Sequence, residues 1–258
     1  MIFIYSFLIF FLGAFLGSFA NVCIYRLPKN KQIVSGRSFC PKCKKKINWY
    51  DNLPLISFII LNSKCRNCKR IISSRYFIVE LITGISFLLI YSNFENPQTI
   101  IFLSILVLIL IMIFFIDLEN FIIPDSLNFT IMGLALLKNF LPNFNTSLIH
   151  EINQSIIGGM VGYLSIWLII FLYKTFKKID GMGFGDAKLM AGIGLLFGWQ
   201  SIPFVLFVSA ILGLIFVLPS LLNKQKNMRS EIPFGPFIIV ACLIYFAQGD
   251  LLYSLILV

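Results

Sequence analysis

The sequence predicts an all-α polytopic membrane protein of about eight transmembrane helices, with one polar loop between the first two. Three observations carry this. First, 59% of the 258 residues are hydrophobic, 12% are charged and 28 are Phe; a water-soluble domain of this size cannot hide so much apolar surface. Second, the apolar residues fall into runs close to the roughly 20 residues that a helix needs to cross the hydrocarbon core. Third, the Lys and Arg residues fall in alternate loops, as the positive-inside rule requires.

The runs are Ile2 to Tyr25, Tyr76 to Tyr91, Thr99 to Ile116, Ser126 to Leu141, Ile152 to Tyr173, Ala187 to Trp199, Ile202 to Leu222 and Phe234 to Leu257. The first holds no Lys or Arg, and its first positive charge, Arg26, follows the apolar stretch. A cleaved secretory signal, here one cut near Ala20, has the opposite polarity, so residues 1–25 read as a retained span. The fourth and sixth runs are short and dotted with glycine, which places them inside the bundle, away from lipid.

Between Arg26 and Arg75 lie 13 of the 21 basic residues, with Asp51 the only acid. A formal charge of +10 fits nucleic acid or an anionic membrane surface, and its position selects the membrane: residues 26–75 form a basic cytosolic loop. The loop 92–98 has no Lys or Arg and neither has Pro142 to Glu151, whereas Lys174 to Lys178 carries three and Asn223 to Glu231 carries Lys224, Lys226 and Arg229. Lys138 runs against the alternation and is assigned to snorkelling at an outer helix end. Both termini then face outward, and residues 76–258 form the main helical bundle. No internal repeat is visible.

Within the loop, Cys40 and Cys43 form CPKC and Cys65 and Cys68 form CRNC, 21 residues apart. Two C-x2-C pairs suit a tetrahedral zinc ion, which closes a segment too small for its own core. Two disulfides are the competing reading, disfavoured in a reducing cytosol, and a redox C-x2-C is a third. Zinc makes this a small cytosolic zinc-knuckle loop between helices 1 and 2. Lys44 to Lys46 either offset the thiolate charge or simply set topology. Cys23 and Cys242 sit in apolar spans and read as packing residues. His150 is the only histidine, which excludes serine-histidine triads and HExxH chemistry.

Acids within membrane segments are expensive and usually functional. Asp117, Asp125 and Asp186 stand out, with Glu80 and Glu119 behind them. Asp117 ends the third span going inward and Asp186 opens the sixth going outward, so the topology brings two distant carboxylates to one depth, the cytosolic membrane edge. Asp186 follows Gly181, Gly183 and Gly185 in GMGFGDAKLM, a backbone clear of side chains that a peptide can approach; as an alternative, it caps the sixth helix. Asp125, after Pro124, reads as the N-cap of the fourth span, leaving Asp117 to the interior, although the two roles can be exchanged. Two converging carboxylates share one proton, the arrangement of an aspartic protease.

Taken together, LGSFANVCIYRLP (Leu16 to Pro28), CPKC and CRNC around WYDNLPLISF, SSRYFIVELITG (Ser73 to Gly84), DLENFIIPD, GMGFGDAKLM and EIPFGPF (Glu231 to Phe237) resemble the bacterial prepilin peptidases, Gly-x-Gly-Asp aspartic proteases also called type IV prepilin-like leader peptidases. The resemblance implies a bifunctional enzyme of the bacterial cytoplasmic (inner) membrane. Such enzymes cut the basic leader of prepilins and pseudopilins after a Gly at the cytosolic face, then N-methylate the new terminal residue, often Phe, with S-adenosylmethionine. Carried over by motif, the peptidase pair is Asp117 and Asp186. Glu80 is the candidate contact to the substrate amine or methyl donor, or else an interfacial acid paired with Arg75 or a nearby Lys. No glycine-rich nucleotide turn lies between Arg26 and Arg75, so the methyl donor rests on resemblance. The chain departs from the family at Phe77, usually Pro, and at Asn62-Ser63, usually a basic residue and Gly. The alternatives are a presenilin-like intramembrane protease, which lacks the zinc-knuckle loop, a proton-relaying transporter, which wants mid-bilayer acids and an inverted repeat, and a membrane scaffold with inert acids.

Overall fold

The structure is a computed structural model that describes residues 2–33, 38–140, 152–178, 182–222 and 232–256. The predicted loop residues Lys224, Lys226, Arg229 and Glu231, the segment 142–151 with His150, and Gly181 lie outside the described residues. The described residues are all-α, with two isolated β-bridges and no sheet. Among the described residues, five helices are long and apolar enough to cross a membrane: Ile4–Lys29, Ser74–Asn93, Pro97–Asn120, Ile152–Phe176 and Ser201–Leu218, with a shorter apolar helix at Gly235–Gln248. The chain forms two compact units, Met1–Met112 and Ile113–Val258, whose boundary falls inside one helix.

In the first unit α1 (Ile2–Arg26) packs along α3 (Ser74–Asn93), with the short α2 (Ile56–Ile60) in the intervening loop. The α1 surface carries a Gly-x3-Gly step, and small residues are what allow helix backbones to meet closely in lipid, where there is no hydrophobic drive between helices. A Cβ placed on Gly13 would lie 2.9 Å from the Gly84 Cα, and one on Gly17 would lie 2.9 Å from the Glu80 Cα. The Asn21 side-chain amide crosses the same seam to the Tyr76 carbonyl at 3.0 Å. Ser73 caps α3, its hydroxyl accepting from the Arg75 amide at 3.3 Å. Pro97 opens α4 (Pro97–Asn120) at the position where its missing N–H costs nothing.

In the second unit α5 (Asp125–Leu137), α6 (Ile152–Lys177), α8 (Ser201–Leu222) and α9 (Gly235–Ile256) surround α7 (Phe184–Phe197). Ten of the 14 residues of α7 are buried, which bears out the enclosed sixth run. The fourth run differs: α5 buries Leu127, Asn128, Ile131 and Ala135 alone, and Phe129 and Leu137 are exposed. A single apolar stripe repeating every three to four residues marks a helix with one covered face, so α5 flanks the bundle where enclosure was expected. Lys138 is also corrected. It does not snorkel outward; it is buried, and its ammonium donates to the Leu196 carbonyl in the last turn of α7. Terminal helix carbonyls lack intrahelical donors, which is why a cation is held there.

The α6–α7 crossing is the closest in this unit. A Cβ on Gly194 would lie 2.1 Å from the Gly158 carbonyl oxygen, and one on Gly158 would lie 2.2 Å from the Gly194 oxygen. By contrast, a Cβ on Gly133 meets nothing within 4 Å. Gly194→Ala is therefore expected to destabilise the purified protein by about 1–3 kcal/mol or more through overpacking. Gly133→Ala should leave it unchanged or raise stability by up to about 1 kcal/mol. Melting midpoints in detergent check both, and equal midpoints for the two variants would refute the crossing.

Candidate active site and metal centre

Asp117 lies in the last turn of α4, which stops when Phe121 adopts a positive φ of 56° and donates its amide to the Asp117 carbonyl at 2.9 Å. Its side chain is 4% exposed. One carboxylate oxygen accepts the Gly235 amide at 2.9 Å. Gly235 is the first residue of α9, where helix amides have no internal partner, and Pro236 follows it, as suits a helix start. A side chain at 235 would displace this carboxylate, because a Cβ there would lie 2.8 Å from the same oxygen. Sequence reading quoted this stretch without giving Gly235 a role; the Gly-Pro pair at a helix start was the available signal.

Asp186 is the third residue of α7, behind the extended N-cap Gly183. It is 8% exposed. The Gly183 amide reaches its carboxylate, and Asp186 lies in the same unit as Asp117. Asp186 thus stands in the first turn of α7, where the capping alternative put it. Ile123 packs on the glycine that neighbours each acid: its Cβ lies 3.0 Å from the Cβ position of Gly185, and its Cδ1 3.0 Å from that of Gly235.

Asp125 is corrected in one respect. It is the first helical residue of α5, while Pro124 occupies the N-cap and makes no side-chain cap. Its carboxylate meets the Lys188 ammonium at 2.6 Å, largely in the open, a pair of the kind worth under about 1 kcal/mol. Glu119 is exposed. Of the acids that sequence singled out in this unit, the structure gathers Asp117 and Asp186 in the interior and leaves Asp125 and Glu119 outside.

Asn128, which sequence reading missed, is fully buried on α5 and donates its side-chain amide to the Gly185 carbonyl at 3.2 Å. The residue immediately before Asp186 is thereby tied to a neighbouring helix. A polar residue three positions after Asp125, on the same helix face, was the only hint.

The four loop cysteines converge in the first unit. The Sγ atoms of Cys40, Cys43, Cys65 and Cys68 all lie within 4.8 Å of one another, and Cys40 and Cys68 are 3.9 Å apart. Tetrahedral coordination at about 2.3 Å per sulfur implies sulfur–sulfur edges of about 3.8 Å, so the set fits a metal ion. Each pair sits in the same turn. The Cys40 amide donates to Lys45 O at 3.0 Å and Lys44 N to Cys40 O at 2.8 Å; 25 residues later Cys65 N meets Arg70 O and Lys69 N meets Cys65 O, both at 2.9 Å. Lys44 and Lys69 take matching positive φ values, 58° and 56°, and bridges Phe39–Lys46 and Lys64–Ile71 close the two turns. A short repeat is therefore present where none was read, because the likeness lies in backbone geometry more than in side chains.

Amides of Cys68 and Asn67 pointing at the Cys65 sulfur bring its pKa down to about 7. At Cys43 the Lys45 amide favours the thiolate, but desolvation and the other three thiols outweigh it and push the pKa up to about 11. Metal ligation requires the thiolate form of each cysteine, so metal binding at this set releases protons.

Glu80 is buried in α3. Its carboxylate accepts the Leu55 amide at 2.8 Å and a hydrogen bond from Ser18, which leaves lone-pair capacity for a further donor. Leu55 is held in a strained conformation, φ 62° and ψ −49°, with the Ile56 amide 2.6 Å from Pro54 O, a γ-turn of the rare positive-φ form. Asn62 and Ser63, which replace the basic-Gly pair, also have positive φ. Cys23 and Cys242 are buried.

Two family models match. The bacterial Peptidase A24 N-terminal domain covers residues 11–94 and the type IV leader peptidase family covers residues 104–218. Among curated relatives, a prepilin leader peptidase/N-methyltransferase of Aeromonas salmonicida is 31% identical over 96% of this chain and 92% of its own length. One of Vibrio cholerae serotype O1 is 36% identical over 95% and 98%, and one of Dichelobacter nodosus is 34% identical over 93% and 92%. No solved structure matches.

Metal analysis of the purified chain should give about one ion per molecule, as one four-thiolate centre requires. Cys40→Ser or Cys65→Ser should lower that content sharply, and a metal-free wild-type protein would remove the centre.

Proposed function

We propose that this chain, which belongs to the type IV leader peptidase family, is a membrane aspartic endopeptidase that removes the leader of type IV prepilins or pseudopilins and N-methylates the residue it exposes. The observation that carries the peptidase is the pair Asp117 and Asp186: two buried acids, distant in sequence, in one unit, whose neighbouring glycines Gly235 and Gly185 both pack on Ile123. Family membership carries the methyltransferase.

In the peptidase step a water sits between the two carboxyls, which hold one proton between them. The ionised member takes a proton from the water as its oxygen bonds to the scissile carbonyl carbon, and the protonated member donates to the carbonyl oxygen. The tetrahedral intermediate then breaks its C–N bond. One proton returns to the departing nitrogen, leaving a free amine and a carboxylic acid. The Gly235 amide on Asp117 keeps that carboxyl oriented, and Asn128 fixes the backbone that presents Asp186. Gly183 leaves the approach to Asp186 free of a side chain, while the space beside Gly185 is filled by Ile123.

Eight helices, α1 and α3 to α9, are the proposed spans, α5 and α7 being short ones at about 20 Å each. Residues 1–25 are the first span, 26–75 the cytosolic loop and 76–258 the peptidase bundle, in the bacterial inner membrane with both termini outside and the acids at the cytosolic face. Cys40, Cys43, Cys65 and Cys68 hold a structural zinc, which supplies the loop with a rigid centre in place of a core. S-adenosylmethionine supplies a methyl group when bound, and Glu80 is the proposed contact to the amine or donor.

Asp117→Asn and Asp186→Asn are each expected to abolish cleavage of a synthetic prepilin peptide while leaving metal content intact; full cleavage by both variants excludes them from catalysis. Glu80→Gln should leave clipping within severalfold and lower methyl incorporation at least about tenfold, the size of effect expected on losing one charge-assisted hydrogen bond. Mass spectrometry of one reaction reads both products, and undiminished methylation by that variant removes Glu80 from the donor site.

A further inference from the structure

The loop between α1 and α3 contains an apolar face that neither the cysteine set nor Asp117 and Asp186 use. LPLISFIIL, residues 53–61, is nine residues long and wholly apolar but for Ser57. At that length it cannot span a bilayer, and short apolar segments of this kind are re-entrant, interfacial or buried in a core. Burial does not apply to its outer side. Ile56, Ile59 and Ile60 are 42%, 64% and 69% exposed, and in a helix positions i, i+3 and i+4 share one face. The opposite side of α2 is fastened to α3: the Leu55 amide to Glu80, and the Phe58 ring to Phe77 with centroids 5.2 Å apart.

Depth follows from the attachment points. α3 has 20 residues, about 30 Å at 1.5 Å per residue, which matches the hydrocarbon thickness of about 30 Å. Phe77 and Glu80 lie three and six residues inside its start, hence about 4.5 and 9 Å along its axis. An element fastened there sits below the membrane surface and not above it. The flanks agree: Trp49 and Tyr50, 73% and 45% exposed, are residue types that collect at the headgroup level, and Lys64, Lys69 and Arg70 follow in sequence, a charge type that lipid phosphates attract, while Arg66 is held by Asp51 at 2.7 Å.

We infer that α2 is a membrane-inserted anchor: its Ile56, Ile59 and Ile60 face lies in the headgroup–acyl boundary of the leaflet where α3 begins and holds the four-cysteine module against the lipid surface. The occupant of this face is lipid, because the element beside it is itself lipid-clad at that depth. Interfacial helices elsewhere bury their apolar face by a comparable 5–10 Å. The loop is then not wholly a water-exposed module. The inference rests on α3 being a membrane span, and the experiment separates the two.

The full-length protein, with Trp49, Trp167 and Trp199 changed to Phe, is reconstituted in phosphatidylglycerol–phosphatidylcholine vesicles whose acyl chains are brominated, a contact quencher of indole. Single tryptophans are placed by Ile60→Trp, Ile82→Trp in the middle of α3, and Lys42→Trp on the first cysteine turn. Ile60→Trp and Ile82→Trp should both lose most of their emission relative to unbrominated vesicles, and Lys42→Trp should keep it. Ile59→Trp provides the same reading should the variant at 60 not assemble, with metal content as the check of folding. A quenched Ile82→Trp beside a water-like, unquenched Ile60→Trp overturns the anchor and leaves the span standing; loss of quenching at both positions overturns the span itself. If Ile60→Trp is shielded only on adding a peptide with an apolar segment, the face docks peptide and the lipid assignment is wrong.

Discussion

A carboxylate withdrawn from water must find hydrogen-bond donors inside the protein, and in an all-helical membrane protein the spare donors are few. Within a helix the amides are already committed; the first turn is where they are free. The second unit uses this constraint directly. Asp117 takes the amide of Gly235 at the start of α9, and Asp186 sits in the first turn of α7 near the Gly183 amide. The candidate site is assembled from helix ends because only helix ends have donors to offer. Gly235 carries no side chain for the same reason: the carboxylate occupies the space that a Cβ would need.

The same economy of backbone groups explains how the helices around the site are held. Gly158 and Gly194 bring α6 and α7 together until each backbone oxygen occupies the other residue's Cβ position. Lys138 satisfies a carbonyl at one end of α7 and Asn128 satisfies one at the other. α7 is thus pinned near both termini by buried polar side chains and along its length by close glycine contact. The first unit follows similar rules at Gly13, Gly17 and Gly84, with Asn21 crossing to Tyr76.

The loop of the first unit solves a different problem. It is too short and too basic to build a core, so two equivalent cysteine turns converge on one centre. Further order comes from the Arg66–Asp51 ion pair within the loop and from the helix beside it, through Glu80 and Phe77. The strained Leu55 conformation persists because the Glu80 carboxylate holds that amide; strain of this kind survives only where the surroundings enforce it.

Sequence by itself determined the helical class, the apolar runs, the cysteine set and the two acids, since these depend on local composition and on spacing along one chain. Asp117 and Asp186 could be selected because charged residues are rare in apolar runs, and the alternation of basic loops predicts a depth for each. Tertiary structure alone decided which side chains those groups meet. Lys138 turns inward to a carbonyl of another helix, Asn128 grips Gly185, Gly235 supplies a donor, and α5 lies at the flank and not the centre. Each depends on which helices become neighbours, and no periodicity within a single helix records the identity of the helix packed against it.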